Sequence, residues 1–221
     1  MPSPEDTITV MAISLVLVDD HPAVRTGLQA LIDEEPDLHV TATAATGRDG
    51  FCAIVERRPP VAIVDYHLPD EDGFTLCLRT RVLPEPPRVI VYSAFASVRL
   101  AVLAAVAGAA ALVSKNARPD ELLAAIRADS RSPHHGDRIS PDALREAGAR
   151  LEPDDLAILG MLVHGLPPTE IAATLTIDER WLVARRWAML ERLAGKPARR
   201  PATRSSLDGS PRTLTAPPGR A

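Results

Sequence analysis

The chain has 221 residues, 46% hydrophobic and 24% charged, which is the composition of an ordinary globular protein of one large or two small domains. A formal net charge of -4 excludes a uniformly basic nucleic-acid-binding protein but allows a local basic patch. The two cysteines, Cys52 and Cys77, are too few for a disulfide framework or a zinc cluster, which predicts a reducing, cytoplasmic compartment.

The N-terminal segment does not resemble a signal peptide. Residues 1–12 are acidic and lack a basic region followed by an apolar stretch, and no run approaches the ~18 apolar residues of a membrane span. We therefore expect no membrane association and a disordered N-terminal extension over residues 1–12. Either Met1 or Met11 is the expected start.

Five apolar runs alternate with helix-period segments. Strands are predicted at residues 13–18, 38–44, 61–65, 88–93 and 110–114, and helices at 22–35, 48–58, 73–82, 97–107 and 119–128. This alternation needs crossover connections, and therefore a parallel sheet with helices on both faces. The predicted fold class is α/β, with a doubly wound, five-stranded parallel sheet.

Polar residues end four of these strands, at the edge where a parallel sheet binds its ligands. Asp19 and Asp20 end the first strand, Asp65 the third and Ser93 the fourth, and Lys115 follows the fifth. Neighbouring carboxylates repel one another unless a cation lies among them, and Mg²⁺ prefers such oxygen ligands. A carboxylate nucleophile, a metal, a hydroxyl and a cation are what phosphoryl transfer to Asp65 requires.

Residues 13–128 resemble the receiver domain of two-component response regulators, which has a flavodoxin-like fold. The motifs that match are LVDDHPAVRTGL, VDYHLPDEDG, VYSA and LVSKNARPDEL. The resemblance implies that Asp65 accepts a phosphoryl group from a sensor histidine kinase. A strand-end aspartate with Mg²⁺ also fits a haloacid-dehalogenase-like hydrolase, but that class predicts Asp-x-Asp at the first strand, whereas this chain has Asp19-Asp20-His21.

The same resemblance assigns the neighbouring residues. It implies a Mg²⁺ site formed by Asp19, Asp20, Asp65 and the backbone carbonyl of His67. It further implies that Ser93 and Lys115 couple phosphorylation to a change of shape. The side chains of His21 and His67 are expected to lie in loops facing solvent, because neither has a partner at metal-ligand spacing.

One position departs from the receiver pattern. Receivers commonly carry an aromatic residue three positions before the lysine, where this chain has Leu112. Aromatic residues are only 3% of the chain, so a substitute is not obvious. The departure predicts that the phosphorylation chemistry is kept while its readout is altered, for instance through Tyr92 and Phe95.

The sequence changes character after residue 128. Residues 129–147 are polar and contain Pro133, Gly136 and Pro141, which predicts a linker leading into a short helix. Residues 148–195 carry three amphipathic helical stripes with a Gly-Leu-Pro-Pro turn, which predicts a small all-α helix-turn-helix domain. Residues 196–221 are rich in Pro, Arg and Ser and are expected to be disordered.

The segment 148–195 resembles the NarL/LuxR-type DNA-binding domain, in which the last helix enters the major groove. The matching residues are Leu151, Pro153, Leu159, Leu162, Gly165, Leu166, Glu170, Ile171, Ala172, Leu175, Ile177, Glu179, Leu182, Leu190 and Leu193. The resemblance implies that promoter DNA is the partner. The family's further helix, which commonly forms the dimer contact, has no counterpart in the sequence.

The expected DNA contacts depart from that family's pattern. They fall on Thr169, Arg180, Trp181, Arg185 and Arg186. Trp181 stands where a small hydroxyl residue is usual, and Arg186 stands where an apolar core residue is expected. The arginines can equally form a solvated face that pairs with helical glutamates, and both interpretations stay open.

These observations favour a transcription regulator that is controlled by phosphorylation and is not an enzyme. Phosphorylated Asp65 would shift an equilibrium between a closed form and a DNA-competent form, which we expect to be a homodimer. The alternative keeps the receiver but lets the degenerate helix-turn-helix domain bind protein instead of DNA.

Overall fold

A computed structural model describes residues 12–128 and 139–195. The predictions for residues 1–11, for the linker at 129–138 and for the tail at 196–221 lie outside the described residues. The strands are β1 (Ile13–Val18), β2 (Leu38–Ala44), β3 (Val61–Asp65), β4 (Arg88–Ser93) and β5 (Ala111–Ser114). The helices are α1 (Pro22–Asp33), α2 (Gly47–Arg57), α3 (Gly73–Thr80), α4 (Val98–Ala107), α5 (Pro119–Arg127), α6 (Pro141–Gly148), α7 (Pro153–Val163), α8 (Pro168–Leu175) and α9 (Glu179–Ala194).

The strands form one parallel sheet in the order β2-β1-β3-β4-β5. Strand β3 is central and every residue of it is buried, because helices cover both faces of the sheet. The strand order reverses between β1 and β3, and ligands of doubly wound sheets bind at such a switch point. The predicted doubly wound parallel sheet and the helices that follow it are confirmed.

Helix α4 is apolar around its whole circumference from Leu100 to its end at Ala107, after one exposed arginine, Arg99, in its first turn. Every residue from Leu100 to Ala107 is buried, whereas a helix on the outside of a sheet normally keeps one polar face. One side of α4 packs on α3 and β5, and helices α6, α7 and α9 pack against it as well. A single cluster of buried apolar side chains therefore runs from the sheet through α4 into the C-terminal helices.

Helices α7, α8 and α9 follow one another with short turns. Gly165 has a φ of 75°, a left-handed conformation that suits glycine in the turn between α7 and α8. Pro168 is the first residue of α8, where its missing N–H costs no hydrogen bond. The domain boundaries predicted near residues 128 and 148 stay predictions, because the C-terminal helices share their core with α4.

None of the helices in the described part of the chain is long and apolar enough to cross a membrane.

Candidate functional site

Two buried carboxylates and one lysine meet at the carboxyl edge of the sheet. Asp19 is 2% exposed and Asp65 is 4% exposed. The Nζ atom of Lys115 lies 2.7 Å from Asp19 Oδ2 and 2.8 Å from Asp65 Oδ2. Because β1, β3 and β5 are parallel, their carboxyl ends bring together residues that lie 46 and 50 positions apart in the sequence.

Lys115 is charged in this position. Burial opposes the ammonium charge, but the hydrogen bonds with Asp19 and Asp65 outweigh burial and raise the lysine pKa above its usual value. The backbone amide of Lys115 also donates to the Ser93 carbonyl at 2.8 Å. The lysine is therefore fixed by its main chain as well as by its two carboxylate partners.

Asp20 and His21 complete the acidic end of β1. The ligand atoms of Asp19, Asp20, His21 and Asp65 all lie within 4.8 Å of one another. His21 is solvent-facing as predicted, but its Nδ1 atom lies 2.6 Å from Asp20 Oδ1 and its backbone amide donates to Asp19 Oδ1 at 2.8 Å. Its place in the cluster was missed, although it directly follows the aspartate pair.

The donor set fits a hard divalent cation. The carboxylates of Asp19, Asp20 and Asp65 meet one ammonium group, which leaves an excess of two negative charges. Asp20 Oδ1 is buried and accepts no hydrogen bond from the described residues, because His21 Nδ1, 2.6 Å away, does not have the geometry of a donor. An unsatisfied buried carboxylate oxygen beside two further carboxylates suits Mg²⁺.

Ser93 is completely buried at the end of β4. Its Oγ atom accepts a hydrogen bond from the backbone amide of Phe95, 3.2 Å away. Phe95 itself is exposed, while Leu112 is buried in β5 on the side of the sheet that faces α4. The Nζ atom of Lys115 lies 5.9 Å from the centre of the Tyr92 ring, so an aromatic side chain does lie close to the lysine.

The loop after Asp65 is closed by short-range hydrogen bonds. Asp72 caps α3 by accepting from the Thr75 amide at 2.8 Å, and the Gly73 amide donates to the Tyr66 carbonyl at 2.8 Å. A Cβ atom on Gly73 would lie 2.4 Å from the Asp65 carbonyl oxygen. Glycine is therefore required here, because the start of α3 approaches the end of β3 so closely.

The predicted metal ligand His67 lies in this loop. Its side chain is exposed, and its ring packs edge-on against Tyr66 with 4.5 Å between the ring centres. Asp70 ties the other side of the loop to α2 by accepting from the amides of Gly47 and Arg48 at 2.7 and 2.9 Å. These contacts lie on both sides of His67 in the loop, and the metal-binding role of its carbonyl stays a prediction.

The residues predicted to contact DNA fall into three groups, the last of which is Arg186 alone, buried in the interior. Thr169, Arg180 and Trp181 are exposed, with Trp181 46% exposed at the first turn of α9. Arg185 is half-buried and pairs with Asp155 and with Glu152, the latter at 2.5 Å. The exposed group is free to reach a ligand, whereas Arg185 is held by α7.

Asp155 organises the helix-turn-helix unit and was not singled out from the sequence. It is wholly buried, pairs with Arg185 and Arg192, and accepts from the Glu152 amide at 3.1 Å. Two arginines and one amide thus satisfy a single carboxylate. Its position three residues after the N-cap residue Glu152, typical of a capping box, was the signal that could have identified it.

Arg186 lies in the interior of the protein. It is 1% exposed and donates from Nε to the Val106 carbonyl at 2.7 Å, while its Nη2 atom has no partner. Burial, together with the charge of Arg81, lowers its pKa to about 10, so the side chain remains charged at neutral pH. Arg186 does occupy the core position where an apolar residue was expected, and it is buried there against α4. In this conformation Arg186 cannot contact DNA.

A doubly wound sheet with an acidic cluster, a buried hydroxyl and a lysine at its carboxyl edge defines a receiver domain, and further helices follow it. The family model for the response regulator receiver domain matches residues 15–127. The chain belongs to the response regulators, and to their NarL/LuxR type, which regulate transcription. The family resemblance stated from the sequence is confirmed.

The similarity to known relatives covers more of the chain than the receiver domain alone. The transcriptional regulatory protein UhpA of Salmonella typhimurium is 34% identical over 185 residues, covering 82% of this chain and 91% of that protein. The nitrate/nitrite response regulator protein NarL of Escherichia coli is 27% identical over 75% of this chain and 82% of that protein. A LuxR-family two-component response regulator from Aurantimonas has a solved structure with a TM-score of 0.51 and 29% identity, covering 64% of this chain and 99% of that one.

Proposed function

We propose that Asp65 is the phosphoryl acceptor and that phosphorylation controls binding of the C-terminal helices to promoter DNA. The observation that carries the proposal is the buried contact of Lys115 with both Asp65 and Asp19. A carboxylate held at the carboxyl edge of the sheet, with a cation beside it, is positioned to attack phosphorus. The protein then acts as a regulator and not as an enzyme.

The phosphoryl donor is a histidine kinase that carries phosphohistidine. An Asp65 carboxylate oxygen forms a bond to phosphorus as the phosphorus–nitrogen bond of the donor breaks, and the imidazole leaves with the electron pair and takes up a proton. Asp19, Asp20, Asp65 and the His67 carbonyl would hold Mg²⁺, whose charge would offset the negative charge of the phosphoryl oxygens. Lys115 supplies a second positive charge, and Ser93 lies at the neighbouring strand end to donate its hydroxyl.

The phosphoryl group would disturb the contacts that now hold the site. Lys115 would exchange its bond with Asp65 for a bond with a phosphoryl oxygen, and Ser93 would release the Phe95 amide. The β4–α4 loop therefore changes first, and this loop leads directly into the helix on which the C-terminal helices pack. We infer that the form described is closed and that phosphorylation favours an open, dimeric form that binds DNA.

A gel shift on genomic fragments at two salt concentrations tests this function. The full chain is measured with and without beryllofluoride and Mg²⁺, beside Asp65→Asn and the matched control Asp33→Asn, which changes an exposed aspartate at the end of α1. We expect fragment-selective binding that the phosphoryl mimic strengthens in the wild type and in Asp33→Asn, but not in Asp65→Asn. Binding should weaken with salt, because arginine contacts to phosphate release counterions.

The absence of selective binding in both states would overturn the DNA-binding function while leaving phosphorylation at Asp65 intact. An equal response of Asp65→Asn and the wild type to the mimic would overturn the phosphoryl-acceptor role instead.

A further inference from the structure

Helices α4 and α9 each receive an arginine from the other. Arg99, in the first turn of α4, donates from Nη2 to the Leu193 carbonyl at 3.0 Å. Arg186 of α9 donates from Nε to the Val106 carbonyl at 2.7 Å. The start of α4 therefore lies beside the end of α9, and the end of α4 lies beside the middle of α9, so the two helices run antiparallel.

Both acceptors lie in the last turn of their helix, where carbonyls have no intrahelical donor. The capping amide of Gly108 goes to Ala104 and Ala105 and leaves Val106 open. The capping amide of Gly195 goes to residues 191 and 192, so within the part of the chain that the structure describes no amide bonds to the Leu193 carbonyl. Each arginine thus supplies a missing hydrogen bond and places its charge at the negative end of a helix dipole.

We propose that Arg99 and Arg186 form a reciprocal latch that holds α9 on α4 and keeps the protein from DNA. This inference rests on the proposed function, since it assigns the contacts that the phosphoryl signal must break. Strand β4 ends at the switch residue Ser93 and α4 begins at Val98, so a change at the acceptor site reaches the Arg99 half of the latch through one short loop.

The Arg186 contact is energetically poor, which makes it easier to break. Arg186 is buried with no carboxylate partner among the ion pairs of the described residues, and its Nη2 atom is unsatisfied. Arg81 lies on the same side and donates to the Gly108 carbonyl at 3.0 Å, so two guanidinium groups share the end of α4. A buried, unpaired cation is costly, and transfer of Arg186 to a DNA phosphate would relieve that cost.

The variant Arg99→Ala distinguishes the effect of losing the latch from the effect of losing one positive charge on DNA affinity. Loss of a positive charge normally weakens DNA binding, whereas loss of the latch should raise the affinity of the unphosphorylated protein by roughly five- to tenfold. The matched control is Arg118→Ala, which removes an exposed arginine of the receiver whose partner is Asp120. We expect no gain of affinity in the control. Arg186→Ala would alter the closed form and the predicted DNA contact at once.

A second measurement needs no DNA. The two tryptophans of the chain, Trp181 and Trp187, both lie in α9, and Trp187 borders a groove of about 1060 Å³ between α9 and the loop that follows β3. In a Trp181→Phe background, acrylamide quenching therefore reports exposure of Trp187. We expect greater quenching in Arg99→Ala, with an unchanged circular dichroism spectrum that shows retained folding.

Unchanged quenching in Arg99→Ala would overturn the latch, whatever the result on DNA. Increased quenching without DNA binding by any variant would support the latch and contradict the DNA-binding function, so the two failures are distinguishable. Increased quenching with a gain of DNA affinity supports both.

Discussion

Replacing Lys115 by methionine should strongly destabilise the receiver. The change removes the ammonium that lies 2.7 and 2.8 Å from two almost wholly buried carboxylates, Asp19 and Asp65, while it keeps most of the side-chain volume. Breaking a buried ion pair by removing one partner typically costs about 3–5 kcal/mol, because the other charge stays buried. With an m-value of roughly 2–3 kcal/mol per molar urea, the unfolding midpoint should fall by about 1–2.5 M.

Circular dichroism during urea titration of the full chain measures this loss of stability. Repeating the titration with Mg²⁺ provides a second test. A divalent cation that binds only the folded site stabilises it by mass action, so added Mg²⁺ should restore more stability to Lys115→Met than to the wild type. Arg118→Ala serves as the control for loss of one positive charge. A loss of less than about 1 kcal/mol would refute the idea that Lys115 holds the acidic cluster together.

The pKa of Lys115 gives this prediction a pH dependence. Because the folded-state pKa is raised above the unfolded value of about 10.4, the contribution of the lysine to the free energy of unfolding is fully present below that pH. It is lost as the pH rises through the folded-state pKa. The stability difference between wild type and Lys115→Met should therefore stay constant from about pH 7 to 9 and shrink above about pH 10.5.

Three further substitutions test contacts that stabilise the receiver and the C-terminal helices. Gly73→Ala should cost about 1–3 kcal/mol in urea unfolding and slow phosphorylation, because its Cβ atom would press on the Asp65 carbonyl. Asp155→Ala should cost about 2–4 kcal/mol and unfold α9 first, seen as a lower midpoint by tryptophan fluorescence than by circular dichroism. Asp72→Ala, which removes the cap on α3, should cost about 1 kcal/mol. An unchanged midpoint would contradict the assigned role in each case.

The sheet and its acidic edge could be predicted because short-range sequence patterns determine them. Continuous apolar runs such as residues 61–65 mark strands buried on both faces, and parallel pairing then brings their polar ends together. Asp19, Asp65 and Lys115 do meet as this reasoning requires. The role of His21 escaped it, because a contact between adjacent side chains leaves no periodic trace.

The packing of the C-terminal helices on α4 could not be predicted from the pattern of each helix alone. Contacts such as the one between Arg99 and Leu193 join residues 94 positions apart, and no local propensity encodes them. The sequence did contain an indirect sign, since residues 100–107 are apolar on all sides and a helix of that kind needs cover on both faces. Arg186 can occupy a core position because its guanidinium donates to the Val106 carbonyl at the end of α4.

The most direct test of the central claim is to locate the phosphoryl group itself. The full chain would be incubated with a small-molecule phosphoryl donor and Mg²⁺, and intact-mass and peptide mass spectrometry would be recorded beside Asp65→Asn and Asp33→Asn. We predict a mass increase of one phosphoryl group on the peptide that contains Asp65, equal in Asp33→Asn and absent from Asp65→Asn. Phosphorylation at another residue, or an equal mass increase in Asp65→Asn, would contradict the account.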